Sequence, residues 1–421
     1  MPDTLLVYAD WVGLPEPLHL GILHATRAAG SERFSFELKP EVLGNPAIGM
    51  LDPRIQAFPG RQFPAASDDS FGLFADASPD RWGRLLMKRR HERDIRAALI
   101  APGTRLYESD FLMGVHDLFR GGAIRLKAHE HGPFLDDHHG RAAPPLAMLR
   151  ELQEASKRIE QGEEISVEGV DWLRLLIAPG GSLGGARPKA SVMDEQRRLW
   201  IAKFPSARDG YDVGGWEMVT NILANIVGLR VAIGRVEKFN NDYHCFLVQR
   251  FDRTATGQRL HFSSAMTQTG HRDGDDHLSG ASYLEIAEFL LRHGSDVKAD
   301  LAELFKRIVF NILVSNSDDH LRNHGFILQP GKGWLLSPAY DMNPVPYADG
   351  LKLNISDADN ALDLELALSV AHYFRLQSAE ARTLVETMRA AIAANWQRAA
   401  QHLGLSANEV ERMAPAFRLA G

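Results

Sequence analysis

The chain holds a single cysteine, Cys245, in 421 residues. One thiol excludes an intramolecular disulfide and a four-cysteine zinc site, and it fits a reducing cytoplasm. No apolar run approaches the roughly 18 residues that a membrane span needs. The opening "MPDTLLVYADWVG" lacks a basic start and carries Asp3 and Asp10, so it does not read as a signal peptide. Internal repeats and long low-complexity tracts are missing. So is a strong charge imbalance: 47 Lys and Arg against 54 Asp and Glu leave a net charge of −7. That balance argues against a whole surface built to grip nucleic acid and leaves room for a local basic patch.

What is present is an ordinary globular composition, 45% hydrophobic and 24% charged, with enough residues for two or three domains. Residues 4–39 read as short strands, with "TLLVYAD" and "FSFELKP" rich in β-formers. The segment 78–100 reads as a helix with Trp82, Leu85, Leu86 and Ile95 on its apolar face. Its residues 81–96 hold seven Arg and Lys against two acids, which suits a solvated face or a docking face for DNA or a partner. Short strands around a Gly-Gly turn are expected over 110–126. The stretch 127–145 carries His129, His131, His138 and His139 in an order that matches no known zinc spacing, so it reads as a strap or linker. A helix follows at 146–162, with Leu146, Leu149 and Leu152 on one side. Beyond a glycine-rich stretch come the strand "RLWIAKFPS", a helix over 215–228, and the strands "AIGRVEKF" and "YHCFLVQRFDR". The "NND" between those two strands is hairpin chemistry. Helices then dominate, at 282–294, 298–315 and most of 361–417, with "FILQ" and "GWLLS" as short strands between them. Strand-rich then helix-rich halves describe a two-lobed module.

Several segments carry chemistry. The loop "GGSLGG" (180–185), with Gly184 and Gly185, lets backbone approach an anion and aim N–H groups at it. Turn formation is the alternative. No G-K-[ST] closes the loop, so it is not a Walker A motif. Lys203 sits in a strand between Ala202 and Phe204, where a buried ammonium needs an anion; a lysine snorkelling from an edge strand is the other reading. Glu217 opens the next helix, and a helix glutamate paired with a strand lysine orients that lysine toward ATP phosphates in kinases. Gln249 and Phe251 end the strand region, where a hinge strand reads an adenine edge. "NSDDHLRNHGF" packs two aspartates, two histidines, an arginine and two asparagines into eleven positions. Within it, Asp318 and Asn323 have the Asp-x-x-x-x-Asn spacing of a kinase catalytic loop: Asp for the hydroxyl proton, Asn for magnesium. Asp341, in "SPAYDMNP", follows a short hairpin and supplies a second carboxylate for Mg²⁺. His320 joins the candidate nucleotide-site residues. As a base it competes with Asp318, and as a structural residue it hydrogen-bonds the loop in place. A metal hydrolase built on Asp318, Asp319, His320 and His324 is the rival chemistry, and it leaves the glycine loop and Lys203 unexplained.

Together "GGSLGGARPKA", "WIAKFPS", "QRFDR", "NSDDHLRNHGF" and "LSPAYDMNP" resemble the HipA family of serine/threonine kinases, known as toxins of type II toxin–antitoxin modules. "VYADWVGL" and "DASPDRWGRLLMKR" look like that family's N-terminal subdomain. The resemblance implies an α+β, two-lobed protein-kinase-like fold with a strand-rich N-terminal subdomain and an all-helical C-terminal lobe. The expected division is 1–140 for the N-terminal subdomain, 141–255 for the kinase N-lobe and 256–421 for the helical C-lobe. It also implies roles. Asp318 matches the catalytic aspartate, and Asn323 and Asp341 the magnesium ligands. Lys203 matches the phosphate lysine, Lys189 the lysine after the glycine loop, and Glu217 the helix glutamate. Gln249 and Phe251 match adenine-edge residues, and Ser182 a serine that is autophosphorylated to switch the kinase off. ATP and Mg²⁺ are the implied cofactors. The implied partners are a protein substrate such as an aminoacyl-tRNA synthetase and a helix-turn-helix antitoxin, with DNA reached only through the antitoxin and no membrane. Two features depart from the family pattern: Asp319, an extra carboxylate that bears on metal preference, and Arg187-Pro188, which stiffens the loop before Lys189. An ATP-binding corepressor docked through helix 81–96, and a kinase of small molecules or lipids, are the competing functions.

Overall fold

The computed structural model describes residues 4–28, 30–45, 47–66, 68–135, 144–162, 176, 187–239 and 243–421. They form two compact units: Met1–Ala207 with Arg250–Ser263, and Arg208–Gln249 with Ser264–Gly421. The expected segments 1–140, 141–255 and 256–421 divide the chain by texture. Packing groups it differently, because the short stretch after Gln249 returns to the first unit.

The first unit is built on a five-stranded antiparallel sheet. Its strands run in the order Arg61–Gln62, Ser31–Leu38, Leu18–Ala28, Thr4–Ala9 and Ile124–Lys127. Leu5, Val7, Leu23, Phe34 and Phe36 are buried, and Phe36 meets Phe74 edge to face at 5.3 Å. Burying each such side chain is worth about 1.5–3 kcal/mol. The helix Arg81–Arg96 forms where expected. Trp82 and Leu86 are buried, but Leu85 is 38% exposed, so only the first turns are held against the unit. The expected strands over 110–126 are mostly absent. Glu108–Met113 is a helix, Asp117–Phe119 a single 3-10 turn, and only Ile124–Lys127 a strand. The buried Arg120 explains the difference. Its guanidinium donates to the carbonyls of Ala77, Leu112 and Val115, which satisfies helix-end acceptors that a strand would have paired in a ladder. Asp110 also accepts from the backbone N of Tyr107 at the helix start.

The helix Leu149–Gln161 buries Leu149 and Leu152, while Leu146 lies in a preceding 3-10 turn. Of the histidine-rich stretch, His138 and His139 lie outside the described residues. Among the described residues, no group of three or more His, Cys, Asp or Glu could hold a metal ion. Strands Lys189–Met193 and Leu199–Lys203 form an antiparallel hairpin. The "QRFDR" segment is a buried ion network. Asp252 accepts from Arg250 Nε at 2.9 Å, Arg253 Nη1 at 2.8 Å and Gly122 N at 2.9 Å. Burial alone pushes the Asp252 carboxyl up, but the guanidinium charges outweigh it and hold it far below the usual carboxylate range.

In the second unit the helix Val213–Ile226 is capped by Asp212, whose Oδ1 accepts from Gly215 N at 2.9 Å. Asp212 also bonds the ring and backbone N of His244. Gly214 permits this close approach, since a Cβ there would lie 2.1 Å from the His244 carbonyl oxygen. Strands Gly234–Glu237 and Cys245–Gln249 pair antiparallel as a hairpin; the "NND" residues 240–242 lie outside the described residues. Helices follow at Tyr283–His293, Val297–Leu313, Leu364–Val370, Ser378–His402 and Ala407–Met413. One hairpin, Gly325–Gln329 with Gly333–Leu336, interrupts them. No helix among the described residues is long and apolar enough to cross a membrane.

Candidate active site

The site begins where the helix Val297–Leu313 stops. Leu304, Phe305, Ile308, Phe310 and Leu313 are fully buried, so the helix end is fixed by packing. Ser315 then takes a left-handed φ of 51°, and its Oγ donates to the Ala416 carbonyl at 2.7 Å. Asn316 Nδ2 donates to Asn311 Oδ1 at 3.0 Å, and Asn316 Oδ1 accepts from Asn343 N at 3.1 Å. Val345 N donates to the Ser315 carbonyl at 3.1 Å. The loop after the helix is therefore stitched to the helix behind it and to the 341–345 segment beside it.

Two consecutive aspartates then part company. Asp319 turns inward and is buried. Its Oδ2 accepts from Tyr283 Oη at 2.6 Å, Asn311 Nδ2 at 2.8 Å and His324 Nε2 at 2.7 Å. Burial pushes this carboxyl up, but the His324 charge and these bonds outweigh it and hold it below the ordinary value. The same carboxylate, after burial itself, pushes the Tyr283 hydroxyl well up. Asp319 is thus an internal anchor of the loop, and the metal preference attached to it in the sequence is corrected on that ground. The loop-holding bond expected of His320 is made by His324; His320 Nδ1 is buried without a hydrogen-bond partner. The hydrolase constellation does not form, because Asp319 and His324 are bonded to each other in the interior while Asp318 is exposed.

Asp318, Asn323 and Asp341 do meet. Asn323 Nδ2 donates to the backbone carbonyl of Asp318 at 3.3 Å and to that of Asp341 at 3.5 Å. Asn323 Oδ1 is buried with no hydrogen-bond partner. An unsatisfied buried acceptor is costly, and here it sits with two carboxylate-bearing residues. Asp341 holds a left-handed φ of 59°, a conformation of the kind stored at functional sites. Its Oδ1 accepts from Asn343 Nδ2 at 3.3 Å. Protein packed behind Asp318 raises its carboxyl pKa and the like charge of Asp341 adds to this, while His320 and Lys352 oppose. Because the residue stays open to water, solvent moderates that shift. Two carboxylates and an unpartnered amide oxygen are hard donors, the set that suits Mg²⁺.

Glu217, on the helix Val213–Ile226, is buried. It lines a small pocket of about 10 Å³ together with Asn221, Phe246, Val248, Tyr340 and Asp341. Thr220 Oγ1 ties that helix to the Met342 carbonyl, and Tyr340 Oη donates to the Arg322 carbonyl at 2.7 Å. Gln249 ends its strand with its N donating to Ile233 O at 2.8 Å and its Oε1 buried without a hydrogen-bond partner. These residues all belong to the second unit. Lys189, Lys203 and Phe251 belong to the first. Lys203 is half-buried at its strand's end, Phe251 packs on Phe262 at 6.0 Å, and Lys189 is in a buried ion pair with Asp80. Ser182, Gly184 and Gly185 lie outside the described residues. Sequence reasoning missed Asn343, Asn311, Tyr283 and Asp80. Asn343, two residues after Asp341 in "DMNP", and Asn311, eight residues before Asp319, lie close in sequence; Tyr283 and Asp80 come from distant segments.

A family model, the HipA-like C-terminal domain, matches residues 181–396. A protein of Haemophilus influenzae named "Putative kinase" is 34% identical over 188 residues, covering 40% of this chain and 54% of that protein. "Putative kinase Y4dM" of Sinorhizobium fredii is 30% identical over 164 residues, covering 36% of this chain and 39% of its own length. The chain thus spans about half the length, or less, of these curated relatives. Among solved structures, HipA in a Shewanella oneidensis MR-1 toxin–antitoxin complex of HipA, HipB and operator DNA aligns over 99% of this chain and 95% of its own. The TM-score is 0.65 at 18% identity, which makes it a match of fold.

Proposed function

This chain belongs to the family of the HipA-like C-terminal domain, and on that premise we propose that it is an ATP- and Mg²⁺-dependent serine/threonine protein kinase. The observation that carries the reading is the meeting of Asp318, Asn323 and Asp341 around a buried, unpartnered amide oxygen. Asn323 Oδ1 and the Asp341 carboxylate are the residues to hold magnesium, which when bound neutralises phosphate charge. Asp318, exposed and with a raised pKa, orients the acceptor hydroxyl and takes its proton. A bond then forms from the hydroxyl oxygen to the γ-phosphorus, and the β–γ bridging bond breaks to release ADP. Asp319, Tyr283, Asn311 and His324 keep the loop rigid while this happens. Most of the acceleration comes from positioning and charge stabilisation. Lys203 takes the nucleotide phosphates, Glu217 supports the metal side of the site, and Gln249 and Phe251 meet the adenine.

Autophosphorylation of Ser182 belongs to the same proposal: added negative charge among loop glycines would expel ATP phosphates and switch the enzyme off. So do a translation component such as an aminoacyl-tRNA synthetase as target, and an antitoxin that bridges to DNA. The last is supported by the Shewanella structure, in which HipA is held with HipB and operator DNA. Incubating the protein with γ-labelled ATP and Mg²⁺, alone and with cell extract, tests the reading. Label on serine or threonine, lost when Mg²⁺ is chelated, is expected. Nucleotide binding without transfer to any protein would overturn it in favour of a corepressor, and label found only in small molecules or lipids would move the substrate class.

A further inference from the structure

A chain of hydrogen bonds runs from Asp319, on the inner side of the loop, to the segment that carries Asp341. Asn311 Nδ2 donates to Asp319 Oδ2 at 2.8 Å. Asn316 Nδ2 donates to Asn311 Oδ1 at 3.0 Å, and Asn343 N donates to Asn316 Oδ1 at 3.1 Å. Asn343 Nδ2 then donates to Asp341 Oδ1 at 3.3 Å. The ends of this chain cannot be reversed, because an ionised carboxylate only accepts and a backbone N–H only donates. Asp319 Oδ2 also takes donors from Tyr283 and His324, and its lowered pKa keeps it ionised. Asn311 must therefore offer its nitrogen to Asp319 and its oxygen to Asn316. Asn316 must offer its nitrogen to Asn311, which leaves its oxygen for Asn343. Both ends demand the same sense from the two amides between them. Asn311 and Asn316 are 3% and 1% exposed, so water has little access to replace a lost bond.

The segment that this chain reaches is strained. Asp341 has a left-handed φ of 59°, which persists only where neighbouring structure imposes it. Thr220 Oγ1 holds the Met342 carbonyl, and the Ser315 carbonyl holds Val345 N. Between them Asn316 holds Asn343 N, and of these three ties only that one leads through side chains to the loop's inner carboxylate. We propose that Asn316 is a positioning residue: its amide fixes the Asp341 segment against the loop that bears Asp318 and Asn323, and so keeps the oxygens assigned to magnesium in place. The proposal rests on the kinase reading for the metal. Asn316 acts through Asn343, since both ends of its own amide are bonded to protein.

The test measures Mn²⁺ binding by electron paramagnetic resonance, with a non-hydrolysable ATP analogue present, and the melting midpoint of each protein. Wild type is compared with Asn316→Ala, Asn343→Ala, the double variant Asn316→Ala/Asn343→Ala, and Ile392→Val. The last trims a fully buried side chain outside the chain of bonds. Asn316→Ala is expected to weaken Mn²⁺ binding about tenfold, as losses behind a metal ligand do. Asn343→Ala should act in the same direction. Because both lie on one path, the double variant should bind about as weakly as the weaker single variant. Ile392→Val should lower the midpoint and leave Mn²⁺ binding unchanged. Wild-type Mn²⁺ binding in Asn316→Ala, with only the midpoint lowered, would leave a purely structural amide and overturn the proposal. So would a double variant that loses the product of the two single effects, or an Ile392→Val that weakens Mn²⁺ as much as Asn316→Ala. Each of these results leaves the kinase reading standing. A wild-type protein that binds no Mn²⁺ with the analogue overturns the metal reading and this proposal together. Should Asn316→Ala not fold, Asn316→Ser takes its place with the same expected loss, since its short hydroxyl cannot span both partners.

Discussion

The segment 250–259 and the segment 316–324 are both crowded with charged and amide side chains. In the first, Asp252 accepts from Arg250, Arg253 and a backbone N–H, while Arg259 pairs with Asp117 at 3.1 Å. Donors close around each acceptor, and the network binds the chain's returning segment 250–259 to residues 117–122. In the second, Asp319 is closed off in the same manner, but Asp318 is exposed and Asn323 Oδ1 has no partner. Density of charge is thus common to both segments; the second differs in holding an acceptor left incomplete beside carboxylates, whose desolvation the fold bears without a compensating bond.

Substitutions at each segment can break this contrast. The largest effect is expected at Asp318. Asp318→Asn should lower phosphoryl transfer by about 10³-fold with the melting midpoint unchanged; near-normal turnover would show that the catalytic carboxylate lies elsewhere. Asp252→Asn should do the reverse, costing about 3–5 kcal/mol of stability by stripping the charge from a buried ion network. Thermal unfolding reads this, and a stable variant would mean that the network is dispensable. Asn323→Ala should weaken Mg²⁺ dependence by about tenfold or more, measured as the Mg²⁺ concentration for half-maximal transfer, and should also cost about 1–2 kcal/mol of stability because its Nδ2 bonds to the Asp318 and Asp341 carbonyls are lost. Tyr283→Phe removes one of three donors to Asp319 and should cost about 1 kcal/mol.

Acid sharpens the comparison further. Asp252 and Asp319 both have pKa values lowered in the folded protein, so the unfolded chain holds their protons more tightly. Their stabilisation is complete above the unfolded carboxylate pKa of about 3.9 and is lost as pH falls through the folded values. Stability measured against pH should drop steeply below about pH 4, and less steeply in Asp319→Asn. The raised Asp318 has the opposite sign and does not contribute to that drop.

Much of the fold was legible. Helices such as Val297–Leu313 and Tyr283–His293 followed from apolar periodicity, and the capping box of Ser282 and Glu285 is local chemistry. The strands misread at 110–126 were not legible, because Arg120 is satisfied by carbonyls from Ala77, Leu112 and Val115. In the site, spacing pointed to Asp318, Asn323 and Asp341, but not to which of two adjacent aspartates turns inward. It also could not separate His320 from His324, since both lie in one charged run.

The sequence alone determined which residue types are available at each spacing: an aspartate five residues before an asparagine, a second carboxylate beyond a hairpin, and two lysines on neighbouring strands. Local order follows from such patterns because backbone geometry repeats over a few residues. Tertiary structure decided which of these groups is satisfied. Asp319 closes on Tyr283 and Asn311, Lys189 closes on Asp80, and Asn323 keeps an open oxygen. Those outcomes depend on donors brought from eight to more than a hundred positions away, and burial sets how much each missing or completed bond is worth.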